Sequence, residues 1–255
     1  MIEFKNVYFK YPEFCLKDLN FVIDKGEIVA ITGNNATGKT TLVKLLSRVT
    51  SPKKGEVLVD DVPIKKSGIK IGVVFQNPDN QIIFNKVYDD ICFTLKNMGV
   101  DKSKFDERVD YALDLVKMSD YKYKDTFTLS TGQKQRIAIA NMLAIKPDLI
   151  IFDESTVYLD PATKQLLYAL FLRLKKDGTT VVFTTNFLDE IIYADRVLIL
   201  KNGELVADKK KAELLKNLDV FRNLNMPIPF KLKLIEKMQL DTTDDQEILD
   251  ELEKR

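Results

Sequence analysis

Residues 33–40 read Gly33-Asn34-Asn35-Ala36-Thr37-Gly38-Lys39-Thr40, which fits the pattern G-x-x-x-x-G-K-[ST]. An apolar strand, Glu27–Thr32, leads into this stretch, and a helix is expected after Gly38. In that order of elements the pattern forms a phosphate loop. Its glycines let backbone N–H groups curl round an anion, and the helix N-terminus adds positive potential. Lys39 is placed to reach the β- and γ-phosphates of a nucleotide, and the Thr40 hydroxyl to ligate Mg2+. Thr41 is taken with Gly33 to Thr40 as part of the same nucleotide-binding set.

A second segment fits the first. Leu149-Ile150-Ile151-Phe152-Asp153-Glu154 is an apolar strand that ends in two acids. Acids at the C-terminal end of a parallel strand sit where open α/β sheets bind ligands. Asp153 is expected to hold Mg2+, and Glu154 to orient and polarise the attacking water.

Composition narrows the chemistry further. Among 255 residues there is no His, so neither a Ser-His-Asp triad nor an imidazole base is available. With only Cys15 and Cys92, a Cys/His zinc site is excluded as well. A bound metal needs oxygen ligands, and proton transfer falls to a carboxylate or a lysine. The net charge of +1 gives no global field toward nucleic acid or anionic lipid. The longest apolar runs are far short of a membrane span. Glu3 and Lys5 lie within an alternating N-terminal pattern, so the start reads as a strand and the protein as cytoplasmic.

Strands are expected at Ile2–Phe9, Leu19–Ile23, Glu56–Asp60 and Ile71–Phe75. Residues from about 85 to 144 read as helical, with Ser103 as an N-cap. Strands at Leu149–Phe152, Thr179–Thr184 and Arg196–Leu200 then alternate with helices at Pro161–Lys175 and Leu188–Tyr193. Such alternation implies a parallel sheet covered on both faces. Near Ala207 the pattern passes into a Lys-rich helix. The linker Asn225-Met226-Pro227-Ile228-Pro229 precedes a further helix and an acidic tail.

Leu129-Ser130-Thr131-Gly132-Gln133 closely resembles the L-S-G-G-Q signature of ABC-type ATPases. Other elements of that family fall in the right order. Gln76, after Val73-Val74-Phe75, resembles the Q-loop, and Ser155 to Asp160 resembles the D-loop. Asn186 occupies the switch position where the family has His, and Tyr11 resembles the aromatic residue that stacks on adenine. More narrowly, Val73–Phe84 with Asp89-Asp90-Ile91 resembles the ATPases of energy-coupling-factor transporters and of cobalt and nickel importers. The resemblance implies a P-loop ATPase cassette of the α/β class. It would have an antiparallel β subdomain, a RecA-like parallel sheet, a helical signature subdomain at about 85–145 and a small C-terminal helical extension. The ATP-binding domain would span 1–210, and 211–255 would be a helical dimerisation segment.

The resemblance also implies a mechanism. Two cassettes sandwich two ATP molecules with Mg2+, each site taking its signature from the other chain. Ser130 and the N–H groups of Gly132 and Gln133 would close on the partner's γ-phosphate. Gln76 would serve both the metal and the reaction, Asn186 would contact the γ-phosphate, and Asp160 would border the nucleotide. Closure would pull on a transmembrane coupling subunit, with a separate membrane subunit selecting a vitamin or metal ion. The chain would lie on the inner face of the membrane. Two positions depart from the pattern. Thr131 stands where a signature Gly would tolerate positive φ, and Asn186 cannot carry charge. The two changes would affect different ATP sites, which favours a heterodimer over a homodimer. Other readings are a regulatory subunit that hydrolyses little and a soluble ABC ATPase outside transport.

Overall fold

The structure is a computed structural model and describes residues 1–253. Its elements follow in the order β1 (Ile2–Lys10), β2 (Cys15–Ile23), β3 (Ile28–Thr32), α1 (Lys39–Leu46), β4 (Lys54–Val59), β5 (Val62–Pro63) and β6 (Ile71–Val74). Next come α2 (Val87–Asn97), α3 (Phe105–Leu115), α4 (Thr131–Ala144), β7 (Leu149–Asp153), α5 (Pro161–Lys176) and β8 (Thr180–Thr185). The chain continues with β9 (Arg196–Lys201), β10 (Glu204–Lys210), α6 (Lys211–Lys216), α7 (Asp219–Asn223), α8 (Phe230–Met238) and α9 (Asp245–Glu253). Lys254 and Arg255, the end of the expected C-terminal segment, lie outside the described residues.

Two sheets form. One has the order β2-β1-β4-β5 and the other β10-β9-β3-β8-β7-β6. The first is antiparallel. In the second, β9, β3, β8, β7 and β6 run parallel, and β10 closes one edge antiparallel to β9. Every residue of β3, β7 and β8 is buried, as a parallel sheet covered on both faces requires. Alternate residues divide between two cores. Ile28, Ala30, Ile150, Phe152, Val181 and Phe183 join the core that α2 to α5 enter. Val29, Ile31, Leu149, Ile151 and Val182 join α1 and the antiparallel sheet. Leu214, Phe221, Leu232, Ile235 and Ile248 of the C-terminal helices belong to the first core.

Three expectations need correction. Ser103 is not the N-cap of α3. The Asp101 carboxylate takes the capping role two residues earlier, accepting from the Ser103 N–H and hydroxyl and starting a 3-10 turn at Lys102–Lys104. Leu188–Tyr193 is a 3-10 run and not an α-helix. Ala207 lies in β10, and the helix starts only at Lys211. Asn202 and Gly203 both have positive φ, at 49° and 81°. That is the hairpin turn favoured by Asn-Gly, and it returns the chain along β9.

A buried acid ties the loop that precedes α2 to helix α4. Asp90 of α2, 1% exposed, accepts the N–H groups of Ile83 and Phe84 at 2.8 and 3.0 Å and the Asn141 amide at 2.6 Å. Burial pushes its carboxyl up, and these three donors oppose that shift. Losing the carboxylate would strand the buried Asn141 amide, at about 1–3 kcal/mol, and break two bonds to the partly exposed loop. We expect Asp90→Ala to lower the stability of the chain by at least about 2 kcal/mol in urea unfolding. Asn141→Ala should cost less, because the two backbone donors would remain on Asp90.

Candidate active site

Strand register gathers the chemistry at one edge. Thr32 at the end of β3 pairs with Thr185 of β8, Asp153 of β7 pairs with Thr184 of β8, and Val74 of β6 pairs with Phe152. Gly33, Asn186 and Glu154 follow these strand ends directly, and Gln76 lies two residues beyond β6. Four segments far apart in sequence therefore meet at the C-terminal edge of the parallel sheet, where such sheets bind ligands.

The loop before α1 is shaped for an anion. Gly33 and Gly38 have φ of 145° and 109°. At Gly38 that φ strains any side chain, and a Cβ there would also crowd Leu16 Cδ2 at 2.5 Å, so the position favours glycine. Ala36 also sits at positive φ, 60°. Thr37 braces the loop by donating to the Asn34 carbonyl at 2.9 Å. Among the described residues, the N–H groups of Asn35, Ala36 and Thr40 have no acceptor. They border a cleft of about 540 Å3, whose walls include Tyr11, Phe14, Thr41 and Glu154. Tyr11 is 38% exposed, packs edge-on against Phe9 at 4.8 Å and presents a ring to the same cleft.

Lys39 is 4% exposed. Its ammonium donates to the carbonyls of Gly33 and Asn34 at 2.9 and 3.0 Å and lies 3.7 Å from Glu154 Oε1. Burial pulls its pKa down, and the charges of Glu154 and Asp153 counter that pull. The Thr184 hydroxyl joins the acids, donating to Asp153 Oδ1 at 2.7 Å and accepting the Glu154 N–H at 2.9 Å. Glu154 takes φ 48°, a strained conformation for a non-glycine residue, and such residues cluster at active sites. Asn186 donates its amide to Glu154 Oε1 at 3.0 Å, and its own Oδ1 is buried without a partner.

The donor set fits a nucleotide with Mg2+. Among the described residues no cluster of three or more acids, His or Cys could hold a metal alone. Asp153 keeps Oδ2 free of protein donors, since only Oδ1 is bonded. One carboxylate, a Thr40 hydroxyl and an exposed Gln76 amide suit Mg2+, which keeps waters and phosphate oxygens among its ligands.

Not every sequence-assigned residue gathers at this edge in the single chain. Ser130 and Gln133 form a capping box at the start of α4. Ser130 Oγ accepts the Gln133 N–H at 3.3 Å, and Gln133 Oε1 accepts the Ser130 N–H at 2.9 Å. That occupies the Gln133 N–H and leaves those of Thr131 and Gly132 without an acceptor among the described residues. Thr131 is the first helical residue and has no positive φ, so its Cβ brings none of the backbone strain expected from the sequence. Asp160 caps α5, accepting the Thr163 N–H and hydroxyl at 2.9 and 2.7 Å, and these bonds hold its carboxyl low. Residues that the sequence reading missed are Thr184, which links the two acids, and Leu224, whose carbonyl accepts the Asn34 amide at 2.9 Å. Neither stands out by residue type; only strand register and chain return expose them.

The family described as ABC transporter matches residues 16–157. The energy-coupling factor transporter ATP-binding protein EcfA1 of Oceanobacillus iheyensis is 38% identical over 239 residues, covering 90% of this chain and 86% of that protein. Among solved structures, cbiO1 from Clostridium perfringens, part of the ABC transporter complex cbiONQ, superposes with a TM-score of 0.78 at 33% identity. The match covers 92% of this chain and 98% of that one. A dimeric ATP-binding cassette, MJ0796, in a post-hydrolysis state with ADP and Pi, gives a TM-score of 0.74 at 29% identity, covering 82% and 98%. With its phosphate loop, acidic strand and cassette fold, the chain belongs to the ABC transporter family, among the energy-coupling factor transporter ATP-binding proteins.

Proposed function

We propose that this chain hydrolyses ATP to energise an energy-coupling-factor type importer of a vitamin or metal ion. The observation that carries this reading is the buried Lys39 ammonium, held inside the phosphate loop and facing Glu154 across the strand ends. Lys39 exchanges its carbonyl partners for the β- and γ-phosphates. The free N–H groups of the loop hold the same anion. Tyr11 offers its ring to adenine. Mg2+, taken by Thr40, Gln76 and Asp153, would neutralise phosphate charge. Glu154 orients the attacking water and accepts its proton. Asn186 fixes Glu154 through its amide.

The signature acts on a second cassette. The unpaired N–H groups of Thr131 and Gly132 at the start of α4 supply its anion contact, with Ser130 and Gln133 shaping that helix end. Val157 and Tyr158, 42% and 46% exposed, precede Asp160 on a loop that suits contact with that cassette. Phe75, Ile83 and Phe127 are exposed and supply apolar contact for a membrane subunit, in keeping with a position at the inner face of the membrane. We favour a heterodimer. Asn186 replaces a chargeable side chain in the site built on this chain's own phosphate loop, whereas Thr131, though unstrained, adds a branched side chain where the partner's phosphate approaches, so a second ATPase spreads the two changes over two sites.

Three experiments test this reading. Lys39→Ala should abolish nucleotide binding in a fluorescent ATP titration, and affinity equal to wild type would end the claim. Glu154→Gln should bind ATP normally yet lower turnover of the assembled complex by about 10²–10⁴-fold, the range for a lost general base. Turnover within about twofold would remove Glu154 from the role. For the pairing, the ATP-loaded Glu154→Gln chain should stay monomeric alone by light scattering and dimerise when a second cassette is co-expressed. A stable dimer of this chain alone would favour the homodimer.

A further inference from the structure

Glu190 lies in the 3-10 run between β8 and β9 and is 1% exposed. A buried carboxylate is costly unless it is paired and fully hydrogen-bonded. This one has three side-chain donors from three elements. Oε2 accepts the Thr185 hydroxyl at 2.7 Å and the Thr156 hydroxyl at 3.1 Å. Oε1 accepts the Lys164 ammonium of α5 at 3.0 Å. A carboxylate can accept all three, whereas a Gln would turn one NH2 toward a donor.

What these donors carry gives the arrangement its meaning. Thr185 immediately precedes Asn186, and its hydroxyl also accepts the Phe187 N–H at 3.0 Å, so it grips the backbone on both sides of Asn186. Thr156 is two residues beyond Glu154. The same two loops are joined again at the reacting face, where Asn186 donates to Glu154 at 3.0 Å. The bonds close a ring: Glu154, Ser155, Thr156, Glu190, Thr185, Asn186 and back to Glu154. One cross-link faces the nucleotide cleft and the other lies behind it, buried.

We propose that Glu190 is a positioning residue for hydrolysis, setting from behind the distance between Glu154 and Asn186. The inference rests on the reading of that site given above. Glu190 is not part of the cleft wall. It acts through the two threonine hydroxyls, and Lys164 of α5 pairs with its other oxygen at 3.0 Å. Misplacing a reacting group by about 1 Å can cost roughly a hundredfold in rate, so loss of the rear cross-link should be visible in turnover.

The test uses the assembled complex and near-isosteric variants that leave Glu190 and Lys164 paired. Thr156→Val and Thr185→Val should each lower kcat roughly ten- to a hundredfold, with ATP affinity and KM within about twofold of wild type. Because both break one ring, the double variant should be no slower than the slower single variant. Thr156→Ser and Thr185→Ser, which keep the hydroxyl, should restore kcat. Glu190→Met with Lys164→Met removes both charges together with the acceptor that both threonines share, and should show the same loss of kcat at unchanged KM. Multiplying defects in the double threonine variant, failure of the serines to rescue, or wild-type kcat with only a lower melting temperature would overturn the proposal. Glu154→Gln, run beside them, separates the two claims. If that variant is inactive and the valine variants are normal, only the role of Glu190 falls. If it turns over like wild type, the site reading falls and takes this proposal with it.

Discussion

The hydroxyl of Thr184 turns sheet register into chemistry. Buried at 2% exposure, it donates to Asp153 and accepts from the Glu154 backbone. A β-branched residue in the middle strand can do this only because β7 and β8 run parallel with Asp153 opposite Thr184. One residue of slip would send the hydroxyl to the other face of the sheet. That bond accompanies the left-handed turn at Glu154, φ 48°, where its carboxylate leaves the sheet. Hydrophobic burial of three fully enclosed strands is therefore what holds two acids in place.

Opposite the acids, the phosphate loop stays open because its own strained positions are filled. Lys39 satisfies the carbonyls of Gly33 and Asn34 from inside, and Thr37 fixes Asn34 from the side. The loop's N–H groups are left over, as an anion site needs. Lys39 and Glu154 face each other at 3.7 Å, longer than a hydrogen bond. A geometry that leaves both groups underused in the single chain is one in which an incoming phosphate and water find partners ready.

The phosphate loop, the acidic strand and the parallel core were legible in sequence because each is a local pattern: an eight-residue motif, an apolar run ending in acids, alternation of strand and helix. The hairpin at Asn202-Gly203 was equally local, but the Lys-rich stretch beyond it drew the reading toward a helix. Ser103 was misread for a similar reason. An Asp two residues earlier competes for the cap, and a carboxylate wins both the N–H and the hydroxyl. Thr184, Thr156 and Glu190 were illegible. Threonine at a strand end and an acid in a short turn have no signature of their own. Their meaning comes from register and from chain segments that meet only after folding. Thr131 is the reverse case: alarming as a letter, it is ordinary as the first residue of a helix.

Asn34 spends its amide on the carbonyl of Leu224, at the end of α7. The residues around that carbonyl, Phe221, Leu224 and Met226, are buried in the same core as the parallel sheet. In mechanical terms the C-terminal helices are therefore not a passenger trailing the cassette but a buttress behind its phosphate loop. The loop is stiffened from two ends of the chain at once, by the strand that enters it and by a segment 190 residues away. The tail thus meets the loop directly through one side-chain hydrogen bond, besides sharing the core that holds the sheet and the helical layer.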